Sequence, residues 1–106
     1  MAAGGPFGPA AYAASKGGIV SLALPATWAL ARFGISVNTG APGIILTPLL
    51  WELPEAVQAD LEAAYPFPVR LGHPAELADA VVLYLTNRYM NAEVIRLDGG
   101  LRLLPR

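Results

Sequence analysis

Apolar and polar positions change period along this chain, and the changes mark its elements. From Pro9 to Phe33 apolar residues occupy every side of a 3.6-residue turn, with Lys16 and Arg32 the charged exceptions. Gly8 before the run, Pro9 at its first position and Gly34 just past its end predict one helix. Pro25 lies inside it and predicts a bend, because proline lacks an N–H and clashes with the preceding turn. Ile35 to Thr39 and Glu93 to Leu97 read as short strands, the second closed by a turn at Asp98, Gly99 and Gly100. Between them, Gly40 to Thr47 reads as a loop, Leu49 to Tyr65 as an amphipathic segment with a helix opening at Pro54, and Pro66 to Gly72 as extended. Pro74 then opens a helix through about Thr86, with Leu77, Ala78, Val81, Val82 and Leu85 on one face and His73 as its cap or a surface residue.

Composition narrows the classes. At 106 residues the chain is one domain at most, and seven basic against eight acidic residues give a net charge of -1. No basic run exists to meet nucleic acid or an anionic membrane. Without cysteine there is no disulfide framework or thiolate metal site, and the single His73 builds no histidine cluster, so no metal is expected. The apolar fraction of 55% raises the question of a membrane span. Gly17 to Ala31 is too short for one, and Phe33 to Trp51 is broken by Asn38, Gly40, Pro42, Gly43 and Pro48. The N-terminus has neither a basic nor an apolar signal region, and a cytoplasmic chain is expected, an organelle being the alternative. The apolar excess is assigned to a buried sheet and a subunit interface.

Chemistry concentrates at Tyr12 and Lys16. Four helical residues advance roughly 400°, which leaves the two side chains about 40° apart and about 6 Å along the axis, on one face. A fixed ammonium group favours a phenolate, which suits a tyrosine that exchanges a proton. A bare i, i+4 pair of this type is more often an ordinary solvated helix face.

The stretches AAYAASKGG, ISVNTGAPGIILTP and EVIRLDGG decide between these, because together they resemble the C-terminal half of the short-chain dehydrogenase/reductase family, whose signature is YxxxK on a long helix. PFPVRLGHPAE and NAEVIRLDGG look most like the branch acting on 3-hydroxyacyl-CoA and 17β-hydroxysteroids. The resemblance implies an α/β fold, the C-terminal portion of a Rossmann-like doubly wound domain, with two parallel strands and about three helices over residues 1–106. It implies NAD as cofactor, NADP being the alternative, and a secondary alcohol or ketone as small-molecule substrate. Tyr12 would move the proton, and Lys16 would bond the nicotinamide ribose and lower the phenol's pKa. Pro42, Gly43, Ile45 and Thr47 would form the nicotinamide loop, with backbone groups at Ile45 and the hydroxyl of Thr47 meeting the carboxamide. Leu49, Leu50, Trp51 and Leu53 would touch substrate, unless they are simple core. The Tyr12 helix would face a second copy in a homo-oligomer.

Several family features are not in these residues. No GxxxGxG or GxGxxG follows a strand, and the family's catalytic serine would fall at or before Met1. The expectation is therefore of a chain without the dinucleotide-binding half, inactive alone. The competing expectation is a catalytically incomplete fragment that serves at most as an association module. Gly40, Leu46 and Ala92 also depart from the family pattern, Ala92 standing where a glycine precedes EVIRLDGG.

Overall fold

An alanine- and leucine-rich sequence carries the first helix from Gly8 to Leu30, designated α1, continuous through Pro25. The computed structural model describes residues 8–101. A 3-10 turn, Ala31–Phe33, tightens the end of α1 before Gly34, whose φ of 69° is left-handed. The Gly34 N–H donates to Ala31 O at 3.0 Å and the Ile35 N–H to Leu30 O at 3.4 Å. This pair of bonds satisfies the last carbonyls in the Schellman arrangement, and glycine is placed where other residues would strain.

The remaining elements are β1 (Thr39–Pro42), α2 (Pro48–Trp51), α3 (Glu55–Ala63), α4 (Pro74–Thr86) and β2 (Val94–Leu97). β1 and β2 pair in a two-stranded sheet. The Thr39 N–H donates to Glu93 O and the Gly43 N–H to Leu97 O, so both strands advance by the same step and run parallel. The α/β class is as expected.

The first strand is displaced from its expected place. Residues 35–38 are not a strand, and β1 begins where that prediction ended. The Val37 N–H is taken by Asn91 Oδ1 at 2.8 Å, and Ala92 has a φ of 58°, which is not extended. The Ala92 N–H still donates to Val37 O at 2.8 Å, but a regular ladder cannot continue past a residue turned this way, so strand pairing begins with the bond from Thr39 to Glu93. At the other end, Gly40 and Pro42 read as breakers yet lie in β1. Alternation explains Pro42: Thr39 and Gly43 point their N–H groups at β2, so the nitrogen of Pro42 faces away and no ladder bond is lost. Residues 66–70 form a series of bends rather than an extended run.

The chain divides into two compact units, Met1–Thr39 with Tyr89–Val94, and Gly40–Arg88 with Ile95–Arg106. In the first, Ala23 of α1 is buried. Asparagines do the joining: Asn91 Oδ1 also accepts from Thr27 Oγ1, Asn38 Nδ2 donates to Met90 O, and the Glu93 N–H donates to Asn38 Oδ1. In the second, Tyr65 and Leu71 are buried, Leu71 to 1% exposure. The Tyr65 hydroxyl accepts the Ile44 N–H at 3.1 Å, and its ring lies so close to Gly99 that an added Cβ would stand 2.8 Å from it. α4 begins at Pro74 as expected, with His73 at its N-cap position and the Glu76 carboxylate accepting the His73 N–H.

Ala92 holds a left-handed conformation that costs an L-residue about 1 kcal/mol. Ala92→Gly should therefore raise stability by roughly 0.5–1 kcal/mol in urea unfolding, offset in part by the freer unfolded chain. A loss of stability would show that the alanine methyl makes contacts worth more than the strain.

Candidate functional site

Tyr12 and Lys16 meet on one face of α1, as four-residue spacing requires. The Lys16 Nζ stands 5.5 Å from the centroid of the Tyr12 ring, a cation–π distance. Ser15, between them in sequence, turns its hydroxyl back to donate to the Tyr12 carbonyl at 2.7 Å. Tyr12 is 55% exposed, so its hydroxyl is accessible from solution.

Pro42, Gly43, Ile45 and Thr47 follow one another in the second unit. Gly43 cannot carry a side chain: a Cβ there would lie 2.8 Å from the Asp98 Cα, which is backbone and cannot step aside. Ile45 forms a parallel bridge with Gly72. The bonds of that bridge are made by its neighbours, the Gly72 N–H donating to Ile44 O at 3.1 Å and the Leu46 N–H to Gly72 O at 2.8 Å. Ile45 thus turns its own N–H and C=O to the opposite side, where neither has a partner among the described residues. The Thr47 hydroxyl likewise has none, while the Thr47 carbonyl caps α2 by accepting from Leu50 and Trp51. A donor, an acceptor and a hydroxyl within three residues suit a planar amide, so these residues fit a nicotinamide.

Leu49 and Trp51 are exposed, and Leu50 and Leu53 half-buried. Of the four, none belongs to the buried core. Tyr12 and Lys16 lie in one compact unit and the other predicted site residues in the second.

A cavity of about 250 Å³ opens beside Ile45, lined also by Tyr65, Arg70, Gly72, Glu76 and Asp98. Among the site residues expected from sequence, Ile45 alone lines it. Arg70 and Glu76 form a two-armed pair, Nη2 to Oε1 at 2.6 Å and Nη1 to Oε2 at 3.0 Å. The hydrogen bonds from Arg70, and then the one from the His73 backbone, hold the Glu76 carboxyl down at about 2, against an ordinary 4.5. The same pairing raises Arg70. Asp98 accepts from Arg96 at 2.8 Å and from the Gly100 N–H at 3.1 Å. Sequence reading passed over Arg70 and Glu76. The available signal was a glutamate at the third helical position, with Pro74 at the first, the mark of a capped helix start.

Comparison with known proteins gives a consistent result. Residues 2–102 match the family described as enoyl-(acyl carrier protein) reductase. The chain is 54% identical over 101 residues to human 3-hydroxyacyl-CoA dehydrogenase type-2, covering 95% of this chain and 39% of that protein. The rat protein of the same name is 52% identical with the same coverage. The crystal structure of 3-hydroxyacyl-CoA dehydrogenase type-2 from Mycobacterium avium superposes with a TM-score of 0.85 at 47% identity, over 92% of this chain and 38% of that one. The chain thus spans about two-fifths of the length of these relatives. Among the described residues, no helix is long and apolar enough to cross a membrane.

Two outcomes follow from this geometry. Gly43→Ala should disrupt the turn after β1 and lower the unfolding midpoint, whereas Gly72→Ala, whose added Cβ would crowd the movable Ile45 Cδ1 at 2.7 Å and lie an ordinary 3.6 Å from Ile44 O, should cost less. The reverse order in thermal melts would contradict the packing. For Glu76, the lowered carboxyl means the unfolded chain binds more protons across the interval between the two values. Its stabilisation is complete above pH 4.5 and is lost as pH falls toward 2. The melting difference between wild type and Glu76→Gln should therefore close across that window, and, because both side chains are more than a third exposed, be reduced by salt. A difference independent of pH would rule the ion pair out.

Proposed function

The chain belongs to the short-chain dehydrogenase/reductases, and on that premise we propose that it is the C-terminal portion of an NAD-dependent oxidoreductase domain acting on a 3-hydroxyacyl thioester of CoA. The observation that carries the reading is the Tyr12–Lys16 pair on α1, in a chain more than half identical to the human 3-hydroxyacyl-CoA dehydrogenase type-2. NADP is the alternative cofactor.

When bound, the nicotinamide accepts or gives the hydride. The chain's own residues handle the proton and the positioning. Tyr12 takes the proton of the substrate hydroxyl in oxidation and returns it to the carbonyl oxygen in reduction. Lys16 stabilises the phenolate by its charge and bonds the ribose hydroxyls. The Ile45 N–H and C=O and the Thr47 hydroxyl hold the carboxamide, and Pro42 and Gly43 set the path of the backbone toward it. Leu49, Leu50, Trp51 and Leu53 supply apolar contacts for the acyl chain.

A second reading has its own observation. α1 exposes Ile19, Leu22, Leu24 and Trp28, the tryptophan to 77%, an apolar surface suited to the same helix of another copy. On this reading the 106-residue chain is an association module rather than a catalyst.

One set of measurements separates them. The 106-residue chain should bind NADH saturably by cofactor fluorescence, and in a full-length version Tyr12→Phe should keep cofactor affinity while turnover of 3-hydroxyacyl-CoA falls by about 10²–10⁴-fold. A fully active Tyr12→Phe variant overturns the proton role. Absence of NADH binding, with dimers or larger species in sedimentation, favours the association module; a monomer that binds NADH removes it.

A further inference from the structure

We infer that the Arg70–Glu76 ion pair is a positioning device for the Ile44–Leu46 loop, acting through the two peptide groups that flank Gly72. Its link to the cofactor rests on the reading above; its effect on the loop does not. The Leu71 carbonyl and the Gly72 N–H belong to one planar peptide unit and point in opposite directions. Arg70 Nη1 donates to that carbonyl at 3.1 Å, and the N–H at the other end donates to Ile44 O at 3.1 Å. The next peptide unit is held in the same manner. Its N–H, from His73, donates to Glu76 Oε2 at 2.8 Å, and its carbonyl, from Gly72, accepts the Leu46 N–H at 2.8 Å.

The guanidinium and the carboxylate are joined by both arms, so the grips on the two peptides are one rigid object. A peptide plane held at one end has its other end aimed. Release of either grip lets the plane rotate about the chain, and the bond to the Ile44–Leu46 loop is what that rotation breaks. Leu71, buried to 1% exposure, keeps the segment from pivoting as a whole. Ile45 lies between the two residues bonded to Gly72, so the directions of its N–H and C=O are fixed by the same pair of bonds. Arg70 and Glu76 are thus positioning residues for Ile45, although neither is bonded to it.

The test is amide hydrogen exchange read residue by residue on the 106-residue chain, wild type against Glu76→Gln, with NADH titrated into the same samples. Glutamine still offers an oxygen to the His73 N–H but loses the charged pairing with Arg70. Loss of a charged hydrogen-bond pair predicts exchange at Leu46 and Gly72 faster by about tenfold or more. The Gly43 N–H, bonded to Leu97 O, should keep its wild-type rate. Equal acceleration at all three, or none at Leu46, overturns the positioning role. NADH affinity should fall by a similar factor; an unchanged affinity alongside faster Leu46 exchange overturns the link to the cofactor. A wild-type chain that binds no NADH refutes the cofactor reading instead, and the exchange rates still decide the loop. If Glu76→Gln does not fold, Arg70→Lys, which keeps the charge without the planar fork, serves the same comparison.

Discussion

Backbone hydrogen bonding, rather than side-chain burial, is the constraint on which this structure depends. Among the described residues the buried apolar side chains are Ala23, Tyr65 and Leu71. With so little core, segments far apart in sequence keep their register because their N–H and C=O groups must find partners. The parallel bonds from Thr39 to Glu93 and from Gly43 to Leu97 bring the middle of the chain to its last strand. The bridge from Ile45 to Gly72 fixes the following loop, and two asparagines complete what the ladder leaves open. Where a backbone bond is unmade, at Pro42, the alternation of the strand has already turned that nitrogen away.

The longer helices were legible because their punctuation is local, whereas α2, four residues from Pro48, was not set apart from the segment that follows it. Gly34 ends α1 by adopting a conformation that glycine tolerates, and Pro74 starts α4 where a missing N–H costs nothing; both act within a few residues of themselves. The first strand was not legible, because its start is set by Asn91 and Ala92 from the far end of the sequence. No local pattern around Ile35 could announce that Val37 would bond an asparagine side chain. The site divides in the same way. That Tyr12 and Lys16 share a face follows from helical geometry, while their proposed role, like that of Ile45, rests on resemblance. Arg70 and Glu76 are six residues apart across a loop and a helix start, a spacing at which a continuous helix would put them on different sides and a continuous strand would hold them about 20 Å apart. They become neighbours only because the chain turns at His73 and Pro74.

The apolar character of α1 takes on meaning beside the length comparison. Ile19, Val20, Leu22, Leu24 and Trp28 face away from the packing within their own unit, while the chain spans about two-fifths of its relatives. A helix apolar on most sides is stable in water only when covered on most sides. In Tyr12 the same openness leaves a phenol free to meet another molecule.

The bridge at Ile45 has a consequence for how such a site can drift. Its amide and carbonyl, which have no partner among the described residues, are common to all residues except proline, so a carboxamide held by them, as proposed above, would be blind to the identity of the side chain. On that proposal, valine, leucine or methionine in place of Ile45 would leave the recognition untouched. A position of this kind is free to change its letter while remaining fixed in space, because its role would be carried by the direction of two backbone bonds.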